Sequence, residues 1–575
     1  MIREVTSTDG IRLRVHESGP AAAGVPTVIC IHGYPDDHTL WDGVTAELAV
    51  RYRVVSYDVR GAGESDQPRT RSAYRLDQLT EDLLAVIDAA GPDRPVHLLA
   101  HDWGAVQAWH ALTGDLLRGR VASFTSISGP CLDHAGSWIR ARLRRPTPRA
   151  LRELARQLAS SWYIGFFQLP VLPALAWRTG LAQSALALLE RTDAPTTSDA
   201  VNGLQLYRAN MLPRLTQPGP RTTDVPVQVL APKHDRFVSV GLQTDIGAWV
   251  PDLAVRELPG GHWLPRTHPQ TVARCASELI DHAEGGPEAR TLRRARVTSA
   301  PRGRFADQLV VITGAGSGIG RACALEFAEH GAEVVVTDID QESAERTAVL
   351  ARTLGPGAFA YPVDVADSAA VEQFAKVLRD EHGVPDIVIN NAGIGMAGPF
   401  FDTTAAEWER VIDVNLWGVI HGCRLLGGLM VDGGTGGTIV NVASAAAYMP
   451  TKALPAYATT KAAVLALSQC LRAELADSGI GVVAICPGFV HTNISRTTRF
   501  VGLDPSAERT AQEHATALYR RRNYTPARTA REIRRAVERN AAIAPITPEA
   551  RAGLLASRLT PGLLRALARV DLTTR

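Results

Sequence analysis

Lysine is nearly absent: of 61 basic residues only four are Lys, a bias that speaks of nucleotide composition rather than mechanism. Cysteine is sparse too. The seven thiols (Cys30, Cys131, Cys275, Cys323, Cys423, Cys470 and Cys486) are odd in number and widely scattered. No close pair has metal-ligand spacing, so they read as buried thiols of a reducing cytoplasm and no metal is expected. No apolar stretch reaches the roughly 20 residues that cross a bilayer. After Met1 the chain enters strand-like alternation (Ile2, Val5, Ile11, Leu13, Val15) instead of a basic-then-apolar leader, which leads us to expect a cytoplasmic protein. A net charge of only +2 argues against a protein built mainly to grip nucleic acid.

What is present is length and two separate alternations of strand and helix. At 575 residues the chain exceeds one ordinary hydrophobic core, and two domains of common enzyme size fit. Residues 1–283 carry short apolar runs at 27–31, 54–57, 96–99 and 227–230, as buried parallel strands do. Residues 130–223 interrupt them with Arg-, Pro- and Trp-rich helical material, an insertion that would form a cap. Residues 284–305 are rich in Gly, Pro and Arg without apolar periodicity and read as a linker. A second alternation over 306–575, with runs at 309–313, 334–336, 387–389, 439–442 and 482–485, predicts a doubly wound parallel sheet. The fold class expected is therefore α/β twice over, with no sequence repeat between the halves.

In the first half, Leu98-Leu-Ala-His-Asp-Trp-Gly ends a strand and opens a helix, with Ala100 and Gly104 two residues either side of Asp102. A strained nucleophile turn needs small residues there. The turn would leave the Trp103 N–H facing the reacting centre, with the Tyr34 N–H of His32-Gly-Tyr-Pro as second oxyanion donor. An acid, Asp235, and a histidine, His262, each follow a later strand, in nucleophile, acid, histidine order. An aspartate attacks saturated carbon to give an alkyl ester, which water activated by a histidine then hydrolyses.

Residues 1–283 resemble the epoxide hydrolases of the α/β-hydrolase superfamily in His32-Gly-Tyr-Pro, Asp58-Val-Arg-Gly-Ala-Gly-Glu-Ser65, His101-Asp-Trp-Gly, His234-Asp-Arg and Gly261-His-Trp. That resemblance implies an α/β-hydrolase fold with a helical cap bearing two tyrosines that help protonate the epoxide oxygen. The stretch 161–170 nominates Tyr163 and Leu206-Tyr-Arg-Ala-Asn nominates Tyr207. Trp103 keeps a second reading open, because haloalkane dehalogenases also place Trp directly after an Asp nucleophile. The two tyrosines favour epoxide over halide.

In the second half, Thr313-Gly-Ala-Gly-Ser-Gly-Ile-Gly320 follows a strand and opens a helix, where backbone amides can cradle a pyrophosphate. Asp338 ends the next strand, placed to bind an adenosine ribose and to repel a 2′-phosphate. NAD is therefore favoured, while Arg321 beside the loop leaves NADP open. Across about 307–500 the chain resembles the short-chain dehydrogenases/reductases in Asn390-Asn-Ala-Gly393, Asn415, Ser444, Tyr457-Ala-Thr-Thr-Lys461 and Pro487-Gly488. The resemblance implies a Rossmann-type sheet and a homo-oligomer assembled through this domain. It makes Tyr457 the general acid/base, Ser444 the holder of the substrate oxygen, Asn415 the keeper of a water-linked proton path and Lys461 a ligand of the nicotinamide ribose. An i, i+4 pair also sets the Lys461 charge beside Tyr457. Gly314, Ser317, Gly318, Ile319, Gly320, Asp364, Asn391, Ala392, Gly393, Pro487, Gly488 and Thr492 complete the implied cofactor site.

From Arg496 onward the chain holds sixteen Arg, no Lys and seven acidic residues, a local balance of +9. Between Pro548 and Val570, Leu555, Leu559, Leu563 and Leu567 recur every four residues with Arg551, Arg558 and Arg565 among them, and Thr560-Pro561 restarts the helix. Such a stretch suits a helix packed over the second site or a subunit interface, or else peripheral contact with anionic lipid. The leading reading is a bifunctional enzyme, an epoxide hydrolase joined to an NAD(P)-dependent dehydrogenase, acting on small hydrophobic, lipid-like substrates. Fusion proteins of this order exist among actinobacteria, and the chain resembles them throughout. The competing readings are a dehalogenase at the first site, or one half kept only as a binding or scaffolding module.

Overall fold

The computed structural model describes residues 1–189, 195–298 and 302–568, which fall into two compact units, Met1–Ser299 and Ala300–Arg575. In the first, eight strands (β1 Ile2–Thr6, β2 Arg12–Ser18, β3 Thr27–Ile31, β4 Arg53–Tyr57, β5 Val96–His101, β6 Val121–Ile127, β7 Val227–Pro232, β8 Leu253–Leu258) form one sheet in the order β1-β2-β4-β3-β5-β6-β7-β8. The two pairings of β2 are antiparallel and the rest parallel. Alternate residues of β3 serve opposite faces: Ile29 and Ile31 pack with Trp109 and Phe124, Val28 and Cys30 with Trp41 and Leu264. A sheet buried on both sides needs such unbroken apolar runs. Among the described residues six helices, from Leu132–Arg144 to Thr197–Thr216, separate β6 from β7, where the helical cap was expected.

The second unit has strands β9 Leu309–Thr313, β10 Glu333–Asp338, β11 Gly357–Pro362, β12 Ile387–Asn390, β13 Met396–Ala397, β14 Gly437–Val442, β15 Ile480–Cys486, β16 Arg499–Phe500 and β17 Ile543–Pro545. Seven of them make an all-parallel sheet, β11-β10-β9-β12-β14-β15-β17, while β13 and β16 pair apart. Val310 and Ile312 face Phe327 on one side, and Leu309 and Val311 face Phe374 and Met430 on the other. Six thiols are buried; Cys470, on the helix Pro455–Glu474, is exposed.

Two departures from the sequence reading have physical causes. Within the stretch read as a linker, Arg290–Ala295 is a helix whose Leu292 is fully buried against Ala254 and Leu279; one apolar residue makes no period, so the pattern hid it. Residues 299–301 lie outside the described residues. The helical stretch Ala405–Gly433 is long and apolar enough to cross a bilayer, against the expectation that no stretch would be, and half of that window is buried within the protein. The tail forms helices Pro548–Leu559 and Pro561–Leu567, restarting at Pro561 as read. The Leu567 side chain, Val570 and all else from 569 onward lie outside the described residues.

Candidate active sites

Asp102 sits at the end of β5 with φ 48° and ψ −121°, a backbone that side-chain-bearing residues rarely adopt. The crowding explains its small neighbours. A Cβ on Gly104 would lie 2.2 Å from the Ile31 carbonyl oxygen, and one on Gly33 only 2.6 Å from the Asp102 carboxylate and the Trp103 nitrogen. The Tyr34 N–H donates to Asp102 Oδ2 at 2.8 Å, and the Trp103 N–H also serves the carboxylate. His262 Nε2 lies 3.7 Å from Asp102 Oδ1, and His262 Nδ1 lies 3.1 Å from Asp235 Oδ2. Asp235 Oδ1 accepts from the Phe237 and Val238 N–H groups at 2.8 and 3.0 Å, which fixes its orientation. Burial raises the Asp102 carboxyl to about 6, against the opposing pull of His262 and the two N–H groups.

Both cap tyrosines converge here. The Tyr163 and Tyr207 rings stand 6.0 Å apart, Tyr207 packs edge-on against Trp103 at 4.9 Å and Tyr163 against Phe237 at 5.6 Å. Burial raises both phenols, so they remain protonated donors at neutral pH. The Trp103 indole stands close enough to the Tyr207 hydroxyl to oppose part of that rise. Arg208, next to Tyr207, donates to the Phe167 and Leu169 carbonyls and so ties the two tyrosine-bearing segments together. His101 has no role in the motif reading beyond its place beside Asp102. Its Nε2 meets the His262 carbonyl at 2.9 Å, and burial holds the ring well below the usual histidine range, so it donates as a neutral ring and positions His262.

In the second unit Gly314 and Gly318 have φ of +63° and +56°. A Cβ on Gly320 would strike the Gly314 carbonyl oxygen at 2.4 Å, so the loop turns tightly into the helix Gly318–Glu329 behind Ser317 and Ile319. The Asn391 amide donates to the Thr313 and Gly314 carbonyls, while Thr313 Oγ1 accepts from the Asn391 and Ala392 N–H groups. Asp338 Oδ2 accepts from the Gly316 N–H at 2.8 Å, which sets a carboxylate at the loop's edge. Arg321 is engaged with the Gly316 carbonyl and Thr347 Oγ1. Asp364 is exposed and caps the Ala366 N–H at 2.9 Å. Thr492 lies across from Gly318, which a Cβ would approach at 3.4 Å. A glycine cradle at a helix N-terminus with a carboxylate at its rim fits a dinucleotide.

Tyr457 and Lys461 share the helix Pro455–Glu474. The Lys461 ammonium lies 5.9 Å from the Tyr457 ring centre and donates to the Val442 carbonyl at 2.9 Å. Burial lowers Lys461 to about 8; burial also raises Tyr457, against a hydrogen bond with Ser444. Asn415 is fully buried in a π-helical turn, Asp413–Trp417, with Oδ1 accepting from the Ile394 N–H at 2.8 Å and Nδ2 donating to the Ile394 carbonyl at 3.0 Å. A Cβ on Gly393 would meet Asn415 Oδ1 at 3.0 Å and Lys461 Nζ at 3.3 Å, so this glycine leaves room between them. The Ala445 N–H donates to the Pro487 carbonyl, joining the Ser444 loop to the Pro487-Gly488 loop.

Two contributors escaped the sequence reading. Glu549, in the tail's first helical turn, accepts from the Phe489 N–H at 2.9 Å, and its Oε1 would stand 2.5 Å from a Cβ on Gly488. Tyr519 packs edge-on against Phe489 and is raised by burial and by Tyr457 nearby. Neither belongs to a motif, and both come from distant stretches, so only the Arg-rich composition around them was visible.

The glycine-cradled Ser, Tyr, Lys and Asn group and the strained aspartate with its acid and histidine make this a hydrolase fused to an oxidoreductase. The family description "alpha/beta hydrolase fold" matches residues 26–150 and "short chain dehydrogenase" matches 308–500. Over 588 aligned residues the chain is 43% identical to "Probable oxidoreductase EphD" of Mycobacterium tuberculosis, covering 99% of this chain and 98% of that protein. It belongs to that family of two-domain proteins and, with its dehydrogenase unit, takes a nicotinamide cofactor. Among solved structures, a short-chain dehydrogenase from Burkholderia phymatum in complex with NAD is 28% identical over 46% of this chain and 98% of its own, with a TM-score of 0.41. An epoxide hydrolase from hot-environment metagenomes is 23% identical over 50% of this chain and 99% of its own, with a TM-score of 0.42.

Proposed function

We propose that the N-terminal unit hydrolyses an epoxide to a vicinal diol and that the C-terminal unit interconverts an alcohol and a ketone with NAD. The observation that carries the first half is the pair of buried, protonated tyrosines gathered over the Asp102 turn. Asp102 Oδ attacks an epoxide carbon and the ring C–O bond breaks. A phenol of the Tyr163–Tyr207 pair gives its proton to the departing oxygen, leaving an ester on Asp102. Water, losing a proton to His262 Nε2, adds to the ester carbonyl, whose oxyanion is held by the Tyr34 and Trp103 N–H groups. The adduct collapses as its hydroxyl proton passes to the leaving alkoxide, the diol departs with the former Asp102 oxygen, and the proton held by His262 returns to the tyrosinate. A dehalogenase would need the Trp103 indole N–H for a halide, and here the Tyr207 ring packs edge-on against that indole. Single turnover of a styrene-type epoxide in ¹⁸O-water should give unlabelled diol and a labelled Asp102 peptide. Halide release from a haloalkane without diol from the epoxide would overturn the reading.

A nicotinamide held by the glycine loop, Asp338 and Lys461 would supply hydride acceptance or donation in the second unit. Tyr457 Oη takes or gives the alcohol proton, Ser444 Oγ holds the same oxygen, and the Lys461 charge favours the phenolate that follows. Asp338 at the loop's rim, with Arg321 turned to its own loop, supports NAD over NADP. Initial rates with each cofactor and a panel of secondary alcohols test this; Asp338→Ala should narrow the preference, and an NADP preference in the parent would refute it.

A further inference from the structure

The cap's outer helices turn apolar side chains to the outside. Nine large apolar residues between Leu151 and Leu188 are exposed, Trp162 at 66% and Leu172 at 56%. Their spacing is regular. Leu151 and Leu158 lie seven apart on the helix Pro148–Ser160, Leu172 and Leu175 three apart on Leu172–Arg178, and Leu181 and Leu188 seven apart on Leu181–Leu189. Each helix thus carries an outward apolar stripe; Pro148–Ser160 meets Leu172–Arg178 through the short helix Trp162–Phe167, and Leu172–Arg178 packs directly against Leu181–Leu189. Soluble surfaces rarely gather apolar side chains in this way without a partner.

The charge around the stripes is predominantly positive. From Arg140 to Leu189 there are eight Arg and one acidic residue, Glu153. Among the described residues only Arg142 and Arg149 of these have a carboxylate partner. Arg144, Arg145, Arg152 and Arg156 stand exposed beside the stripes. A second copy of this chain would present the same positive surface, so charge opposes self-association through this face. An anionic lipid surface satisfies both features, taking the apolar stripes at the acyl boundary and the guanidinium groups at its phosphates. We propose that the outer face of the cap docks on an anionic lipid surface.

The docking face lies one residue from the site. Trp162 points outward, while Tyr163, next to it on the same short helix, packs inward against Tyr207 and Phe237. A hydrophobic epoxide leaving the bilayer would meet the cap where its inward tyrosine is carried. That consequence rests on the epoxide reading; the docking does not.

The test is sedimentation of the full chain with phosphatidylcholine vesicles, with and without phosphatidylglycerol. Partition should be about tenfold greater on the anionic vesicles. Leu158→Ser/Trp162→Ser/Leu172→Ser should lower it about tenfold, and Arg144→Gln/Arg145→Gln/Arg152→Gln/Arg156→Gln should erase the preference between lipids. Circular dichroism melting and turnover of a small water-soluble epoxide check that the variants fold. Anionic binding without epoxide turnover in the parent would leave the docking standing and remove only the hydrolase reading. Binding absent, equal on both lipids, or unchanged in the apolar variant would overturn the proposal. So would loss of binding in Leu555→Ser/Leu559→Ser instead, or dimerisation abolished by the cap substitutions.

Discussion

In the proposed ester mechanism Asp102 must be an anion to attack, in a place that disfavours one. With its carboxyl near 6, ester formation should fall about tenfold for each pH step below that value and level off above it, read from pre-steady-state rates across pH 4.5–8. The same displacement bears on stability. An acid whose folded value is raised above the unfolded one stabilises the fold below the unfolded value and loses that contribution as pH rises through the folded value. Asp102→Asn should therefore stabilise the N-terminal unit by about 1–3 kcal/mol at pH 7.5 and by little at pH 4, checked by calorimetry at both. Equal melting at both pH values would contradict a raised carboxyl. At this scale the sequence was legible where chemistry is local. Asp102, Ala100 and Gly104 lie within five residues, and Tyr457 and Lys461 one helical turn apart. His101, Glu549 and Tyr519 act through contacts across long chain separations, which no spacing reports.

The helix Ala405–Gly433 holds two π-helical turns, Asp413–Trp417 and Gly422–Leu426. Each widens the helix locally, and the first turns the Asn415 amide inward. The place of Asn415 in the motif order was readable; the backbone device that turns its amide inward was not, since propensity does not mark a π turn. The tail is a second case. Its leucines suggested a packed helix or a lipid contact, and the helix Pro548–Leu559 begins against the Ser444 and Pro487 loops, with Tyr448 Oη donating to the Ala550 carbonyl at 2.9 Å. Leu555, Leu559 and Leu563 are exposed. Glu549→Ala leaves the Phe489 N–H without its acceptor, and should cost the C-terminal unit about 1–3 kcal/mol and raise KM for the alcohol while the hydrolase rate stands. Unchanged melting and unchanged KM would remove Glu549 from the site.

Two compact units, each with its own core, predict separate events rather than one all-or-none transition. Calorimetry should resolve two, Asp102→Asn moving one and Glu549→Ala the other. The chemistry also connects. Epoxide opening yields a secondary alcohol, the group that the Ser444, Tyr457 and Lys461 site would oxidise. Epoxide with NAD should give hydroxyketone and NADH with a shorter lag in the intact chain than in an equimolar mixture of separated units, and equal lags would remove the advantage of joining them. Both alternations of strand and helix were readable in outline. What composition could not foretell was the order within each sheet, because β17 joins the edge from beyond a long Arg-rich stretch.

Epoxides are alkylating agents, and on the proposed hydrolase function the protein would expose itself to the one it concentrates. Thiolates are the groups most readily alkylated, yet Cys30, Cys131, Cys275, Cys323, Cys423 and Cys486 are buried, and burial pushes the Cys131 thiol up to about 11 and Cys423 and Cys486 up to about 12. Self-inactivation is thereby confined. Peptide mass mapping after prolonged exposure to a reactive epoxide should find thiol adducts at Cys470 alone, and Cys470→Ser should leave a chain that survives the same exposure without thiol damage.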